Sequence, residues 1–571
     1  MSRALIRLSI AVGYLSFASF ALGQEANPKE AAPAATRRVA AATNVPAKPK
    51  LTEQQKRALD ILEASEAASR GLEAPMRSYG LLQISASLPV PDDKRSRALL
   101  HDAFTASLEI HDDDETKTRL QEEIFSALLP LSLDDVQELL PQAELKVRKQ
   151  TSERIIRLYT DKKKFDDAID LVNQVTSWDE FPYGSGGSLL QALPADMMAE
   201  KQGLFIQAVN SYKNHKHSGI QVGSSLTDMI VKHYGEMPPK VVLSAIEDIL
   251  SQAKNQDEEN HGNNITIGGS GGTVNFEGNY QYQLFALLPI LERLDESRAK
   301  GLLDENQALQ SKLQQYPMGI ESVTPTPKEP PKPADAGANA KQAPAGARGV
   351  QRTVLSTDQH NKAMAAQMQA AEQARQQMKQ IVDLAESDPV QAIAQTTTLP
   401  VSIGDSPMSP RGEALALIAQ KNVKKNPAAA SQALSELRKV APDMPLLRQA
   451  QALSTAADVY LKLGDPDSAE KVVSEGFKVA DKLLERDLNP EDPNQGLKAW
   501  WPSADAYRRF VEVQTKISQR NTLKLLKEIK DPEIRTLESI MYARSLLGLP
   551  TRRVTVVEKR KNMNRTMTTM D

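Results

Sequence analysis

The 571-residue sequence contains no cysteine, few aromatic residues and no large excess of charge of either sign. Without cysteine, the chain has no disulfide, no thiolate metal ligand and no cysteine for lipid attachment. Aromatic residues make up 5% of the chain, which is few for a groove that stacks sugars. Basic and acidic residues number 70 and 73, giving a formal charge of −3. This balance argues against a nucleic-acid partner, because dedicated nucleic-acid binders usually carry a strong basic excess.

Catalytic and cofactor-binding motifs are also missing. The sequence has no His-Glu-x-x-His zinc motif, no Gly-x-Ser-x-Gly nucleophile motif and no Walker-type phosphate loop. The weak candidates for metal ligands are His215 and His217, which would share a metal only if the local chain is extended rather than helical. We therefore predict a non-enzymatic protein without a cofactor. A glycosidase that uses two carboxylates stays open, because such acids need no local motif.

The first 23 residues are typical of a secretory signal peptide. Arg3 and Arg7 precede an apolar run over residues 8–22, and Ala21 and Gly23 supply small residues for signal peptidase. The run is shorter than the roughly 20 residues that a membrane-spanning helix needs, so we favour cleavage over an uncleaved anchor. We expect an exported protein, periplasmic or extracellular after cleavage, with no transmembrane span in the mature chain.

Composition divides the rest of the chain into low-complexity and helical segments. Residues 24–50 and 317–352 are rich in Ala and Pro and lack hydrophobic periodicity, which predicts disordered linkers. Helical periodicity predicts an N-terminal helical-repeat domain over 51–316 and a C-terminal one over 353–548, followed by a basic tail over 549–571. For the second linker, a docking peptide for a groove that binds proline-rich strands is the alternative.

One stretch of the first region departs from helical periodicity. Residues 257–283 contain two alternating, strand-like runs, 265–267 and 273–276, on either side of five residues that include four glycines. The pattern predicts a small β-hairpin near 265–276 that protrudes from the helices. A phosphate-binding loop would require a helix directly after the glycines, so we favour a surface hairpin or a partner contact.

The clearest pattern is a phrase that recurs near the C-terminus. An Asp-Pro or Asn-Pro pair is followed by an alanine three residues after the proline, and the prolines are 38 and 39 residues apart. The members are Pro389 with Ala392, Pro427 with Ala430, and Pro466 with Ala469. The Asp or Asn side chain can cap a helix that begins with proline, and the alanine would let a neighbouring helix cross closely. A fixed period in this range predicts stacked helical pairs.

Two places resemble the tetratricopeptide repeat, in which a tyrosine on the first helix precedes a small residue on the second by nine positions. Tyr460 stands nine residues before Ala469, and Tyr159 stands nine residues before Ala168. The resemblance implies an all-α fold, an irregular and divergent tetratricopeptide-like α-solenoid in two helical regions. Because members of that family mostly bind peptides or proteins, it also implies a protein or peptide partner.

These observations predict a non-catalytic scaffold for protein–protein interaction in the cell envelope, of a kind more typical of bacteria. The alternative is a polysaccharide-active or carbohydrate-binding helical protein with Trp178, Trp500 and Trp501 as a sugar platform. A third interpretation is an envelope-assembly factor whose long helix bearing Met364 and Met368 docks on a neighbour. The basic tail would add a weak contact with an anionic surface.

Overall fold

The computed structural model describes residues 51–88, 93–215, 225–260, 264–324, 358–403, 408–489, 496–549, 557–560 and 563–566. Over these ranges the chain forms 24 α-helices and two small antiparallel sheets. The helices belong to one contact-defined unit that begins at Thr52. The predicted signal peptide and the linker over 24–50 lie outside the described residues, as does His217.

The first helical region contains a series of short helices interrupted by one hairpin. Its elements are α1 (Glu53–Arg70), α2 (Ala74–Ser85), α3 (Asp93–Leu108), α4 (Asp114–Leu128), α5 (Leu133–Leu139), α6 (Leu145–Asp161), α7 (Phe165–Trp178), α8 (Tyr183–Ala192), α9 (Met198–Asn214), α10 (Leu226–His233), α11 (Pro239–Asn260), β1 (Ile265–Gly269), β2 (Gly272–Phe276), α12 (Asn279–Leu294), α13 (Glu296–Glu305), α14 (Gln307–Gln315) and α15 (Ile320–Val323). Helices pack on their sequence neighbours, and α2, α4, α6 and α8 also contact one another in turn. Contacts between second neighbours are how helical pairs stack into a solenoid.

The second helical region repeats this arrangement. Its elements are α16 (Asp358–Leu384), α17 (Pro389–Gln395), α18 (Pro410–Asn422), α19 (Pro427–Val440), α20 (Leu446–Lys462), α21 (Pro466–Asp487), α22 (Pro502–Ile517), α23 (Gln519–Glu528) and α24 (Pro532–Leu546), followed by the strands β3 (Val557–Arg560) and β4 (Met563–Thr566). The helices α16, α18, α20, α22 and α24 contact one another in order as one layer, on which the intervening helices pack. The all-α solenoid with a small hairpin is therefore confirmed.

The recurrent Asp-Pro or Asn-Pro phrase has the same local structure at its three places. Pro389, Pro427 and Pro466 are the first residues of α17, α19 and α21. At each, the preceding Asp or Asn side chain accepts a hydrogen bond from a main-chain N–H of the first turn, at 3.0–3.1 Å. The alanines of the phrase, Ala392, Ala430 and Ala469, are fully buried. The phrase thus marks a capped helix start with a small residue at a close packing contact.

The hairpin lies where the sequence predicts it, with Ile267 opposite Val274 in the antiparallel pair β1–β2. It does not stand clear of the helices, because its alternate residues form a buried face. The Phe276 ring packs against the ring of Phe285 on α12, with centroids 5.1 Å apart. The alternation of apolar and polar residues therefore predicts the two strands. The burial of one face of the hairpin comes from contacts with residues distant in sequence, such as Phe285.

The segment 317–352, which composition predicts to be a disordered linker, begins with helix α15. Val323 in this helix is fully buried, and its carbonyl accepts a hydrogen bond from the N–H of Gly271 at 2.9 Å. A Cβ on Gly269 would collide with the same carbonyl. Packing on the hairpin thus orders residues 320–324, near the start of that segment, and the Val323 carbonyl lies against the glycine loop of the hairpin.

The last described helix packs against the first two. Helix α24 contacts α1 extensively and also reaches α2. The guanidinium of Arg544 donates to the hydroxyl of Ser87 at 2.9 Å, and Arg119 on α4 stacks on the Trp500 ring at 3.9 Å. The end of the second helical region therefore joins the beginning of the first, so the order of the two regions in the stack is the reverse of their order in the sequence.

Candidate functional site

A surface cleft of about 340 Å³ lies between α7 and α9. One wall is Thr176 on α7, and the rest is one face of α9 and its end. The residues of that face are Gly203, Ile206, Gln207, Asn210, Ser211, Asn214 and His215. Their spacing of three and four residues places them on one side of the helix.

Helix α9 exposes this face because its opposite face fills the core. Leu204, Phe205 and Ala208 are buried to 3%, 0% and 0% exposure. On the cleft side, Ile206 is 38% exposed, and a Cβ on Gly203 would meet no atom within 4 Å. The cleft therefore has room beside a partly exposed apolar side chain, on a helix that is firmly anchored from behind.

The hydroxyl groups that line the cleft are hydrogen-bonded within the protein, whereas its side-chain amides are not bonded to the described residues. The hydroxyl of Thr176 donates to the carbonyl of Val172 at 2.8 Å, and the Ser211 hydroxyl accepts from the N–H of Phe181 at 2.8 Å. The three side-chain amides of the face make no hydrogen bond to the described part of the chain; they belong to Gln207, Asn210 and Asn214. Asn210 and Asn214 are also exposed.

Asp179, which follows α7, and Tyr212 on α9 both have shifted pKa values. Lys149 donates to Asp179 at 2.6 Å and holds the pKa of that carboxyl below its usual range. Burial raises the pKa of Tyr212 to about 12. Neither group has a pKa near neutrality, where an acid or base catalyst works best.

Of the two weak candidates for metal ligands only His215 is described, so the pair stays a prediction. The Nδ1 atom of His215 lies 2.8 Å from the carbonyl oxygen of Ser211, and His217 is outside the described ranges. Throughout those ranges, no group of three or more His, Asp or Glu side chains is placed to hold a metal ion.

The tyrosines of the resemblance lie in helical hairpins, away from the cleft. Tyr159 on α6 is 7% exposed, and Ala168 on α7 is fully buried. The hydroxyl of Tyr159 accepts a hydrogen bond from Gln137 at 3.1 Å. Tyr460 on α20 is partly buried against the same core as Val472 and Val473, which follow Ala469 on α21. These residues hold helices together and do not line the cleft.

The three tryptophans do not form an open sugar platform. Each ring has a cation over it: Arg148 lies 5.3 Å from the Trp178 ring centroid, Arg119 lies 3.9 Å from that of Trp500, and Lys498 lies 5.6 Å from that of Trp501. Trp501 is also only 8% exposed, and the other two pack against the core. A cation therefore already lies over one face of each ring.

Sequence reasoning missed the amide face of α9. A helix with an apolar side and a polar side is the ordinary pattern of any solenoid helix. The available signal is the kind of polar residue, because Gln207, Asn210 and Asn214 are neutral amides, whereas solenoid surfaces more often carry Lys and Glu. That signal is weak without knowledge that α7 leaves this face uncovered.

No protein-family model matches the chain, and no curated protein matches it. Among solved structures, the chain is similar to a circular tandem repeat protein with novel repeat topology and enhanced subunit contact surfaces. The match has 10% identity and a TM-score of 0.13, and it covers 86% of this chain and 97% of the other. At this TM-score the two backbones do not superpose. The architecture is therefore assigned from the helix contacts within this chain. Those contacts define a helical-repeat protein with a surface cleft.

A membrane-spanning helix needs about 20 predominantly apolar residues. No helix within the described ranges is both long enough and apolar enough to span a membrane.

Proposed function

We propose that this protein is an exported, non-catalytic helical-repeat scaffold that binds an extended segment of a protein partner in the α7–α9 cleft. The observation that carries the proposal is the row of side-chain amides on α9 that make no hydrogen bond to the described part of the chain. A side-chain amide offers both a donor and an acceptor, which is also what each peptide group of a backbone needs.

The spacing of the amides suits an extended chain. Asn210 and Asn214 are four residues apart on a helix and therefore about 6 Å apart along its axis. Two residues of an extended strand span about 6.7 Å. Successive amides can thus meet alternate peptide groups along one edge of a bound strand. Ile206 and the methyl group of Thr176 would contact a side chain of the partner.

The cellular location and the repeat class are part of the same proposal. Residues 1–23 have the composition of a secretory signal peptide, which supports export to a bacterial periplasm or beyond. The paired positions Tyr159 with Ala168 and Tyr460 with Ala469 support a divergent tetratricopeptide class. Cell fractionation with an antibody against the chain tests export, and an intact N-terminus in a cytoplasmic fraction would contradict it.

The binding proposal is tested by photo-crosslinking in the native cells. A benzophenone amino acid at Gly203 should crosslink one partner, and mass spectrometry should map the link to one short segment. A synthetic peptide of that segment should bind the full chain in calorimetry. The double variant Asn210→Ala/Asn214→Ala should weaken this binding at least tenfold, since two backbone contacts at about 1 kcal/mol each are lost.

The matched control removes two amides elsewhere. Gln310 and Gln314 are exposed, four residues apart on α14, and make no hydrogen bond to the described chain. The variant Gln310→Ala/Gln314→Ala should bind the peptide like the parent. Equal binding by both double variants, or crosslinks scattered over unrelated segments, would refute the cleft as the binding site.

A further inference from the structure

Helix α23 carries a row of basic side chains on its outer face. Arg520, Lys524 and Lys527 recur at intervals of four and three residues, which places them on one side of the helix. Lys530 follows two residues after the helix ends. All four are exposed; we call them the basic ridge.

The basic ridge has no ion-pair partner in the described part of the chain, unlike much of the positive charge nearby. Lys516 lies 2.8 Å from Asp458, and Lys498 lies 2.8 Å from Asp531. Over the described ranges, no carboxylate lies within ion-pair distance of any ridge residue. The one acidic residue of α23 is Glu528, so the ridge keeps a clear positive excess.

The fold holds the ridge in a fixed, outward position. On the inner side of α23, Thr522 and Leu526 are buried. The Ser518 side chain caps the helix by accepting from the N–H of Asn521 at 3.3 Å. The Tyr542 hydroxyl of α24 donates to the carbonyl of Gln519 at 2.9 Å. Three of the four cations therefore project outward from an anchored helix, and Lys530 follows directly after it.

We propose that the basic ridge binds the anionic headgroups of a phospholipid surface. A protein partner is less favoured, because lysine is depleted from protein interfaces and aromatic anchors are enriched there. The apolar residues of α23 do not supply such an anchor, since Leu523 and Leu525 pack against the core. Lysine and arginine near a charged bilayer attract anionic headgroups without any need for shape complementarity. A nucleic acid would also be attracted, but the charge balance of the whole chain does not favour one.

Vesicle co-sedimentation of the full chain tests the proposal. The probe is vesicles of phosphatidylcholine with phosphatidylglycerol, compared with phosphatidylcholine alone. Subtracting the neutral-vesicle signal removes any contribution from the apolar run at residues 8–22. We expect binding that requires the anionic lipid and falls as salt rises. The variant Arg520→Gln/Lys524→Gln/Lys527→Gln/Lys530→Gln should lower the partition by about tenfold or more.

The control is a variant with the same charge change at scattered sites. Lys240, Lys254, Lys300 and Lys379 are exposed on other helices, and their replacement by Gln should leave most of the binding in place. Both variants keep the basic tail 549–571, so their difference reports on the ridge alone. Equal losses in the two variants would overturn the proposal, as would tighter ridge-dependent binding to a DNA duplex than to the vesicles. Circular dichroism of each variant verifies that the helices remain folded.

Discussion

The guanidinium of Arg508 lies 3.6 Å from a carboxylate oxygen of Glu538, and the two side chains are 3% and 0% exposed. This buried contact joins α22 to α24 where α24 meets the first helical region. Burial raises the pKa of Glu538 to about 8, and Arg508 opposes that rise. The carboxylates of Asp505 and Glu512 on α22 raise the pKa of Glu538 further. Tyr79 of α2 raises the pKa of Arg508 through its charge interaction.

The raised pKa of Glu538 predicts that the fold is less stable in mild alkali. In the unfolded chain a glutamate titrates near its ordinary value of 4.5, and in the folded chain near 8. The stabilising contribution is therefore complete below about pH 4.5 and is lost as the pH rises through 8. Chemical denaturation at several pH values should show the free energy of unfolding falling across this window, by a few kcal/mol at most.

A neutral replacement separates this glutamate from the other titrating groups. Glu538→Gln should flatten the pH dependence between about 4.5 and 8, since the amide cannot ionise. Glu528→Gln, at an exposed position on α23, should leave the parent profile unchanged. A parent-like slope in Glu538→Gln would show that the carboxyl is already ionised in the folded protein at neutral pH.

The capped helix starts predict a local dependence on one side chain. The Asn426 side-chain oxygen accepts from the N–H of Ala429 at 3.1 Å at the start of α19. Asn426→Ala should lower the free energy of unfolding by about 1 kcal/mol, because a main-chain donor loses its partner. Asn426→Asp keeps the acceptor and should stay close to the parent. Thermal denaturation of the parent and the two variants checks this. A loss of stability in Asn426→Asp as large as in Asn426→Ala would mean that the amide nitrogen, and not the accepting oxygen, is what matters.

The fold was largely predictable because its determinants are local. Asp465 caps the start of α21 and Pro466 fixes its first φ angle. The periodicity of apolar residues predicts the helix that follows. Helix α15 was not predictable in the same way. Its order depends on the carbonyl of Val323 meeting the N–H of Gly271, a contact between residues about fifty positions apart. Composition carries no information about such a contact.

The candidate cleft was not predictable for a related reason. Asn210 and Asn214 look like ordinary polar positions of an amphipathic helix. They become candidates for binding only because the packing of α7 and α9 leaves a cleft beside them. The tryptophans show the opposite outcome, since Trp500 is conspicuous in the sequence but lies beneath Arg119. Which side chains remain available is decided by tertiary packing.

The buried alanine of the recurrent phrase predicts a steric limit. Ala469 is fully buried near the start of α21, so Ala469→Leu should cost about 1–3 kcal/mol through overpacking. Ala428 lies in the same phrase on α19 but is exposed, and Ala428→Leu should change stability by less than about 0.5 kcal/mol. Denaturant titration checks both. Similar losses in the two variants would mean that leucine acts through something other than packing.

The joint between the first and last helices predicts a local response to one substitution. Arg544 is 7% exposed, and its guanidinium donates to Ser87 across the joint. Arg544→Ala should weaken the packing of α24 on α2 and raise amide hydrogen exchange in α1 and α2, with little change in helices far along the stack, such as α12. Arg520→Ala removes an exposed arginine from α23 and provides the control, for which exchange in α1 and α2 should match the parent. If Arg544→Ala leaves exchange in α1 and α2 unchanged, the apolar contacts of α24 with α1 hold the joint by themselves, and the hydrogen bond to Ser87 is incidental to the order of the two regions.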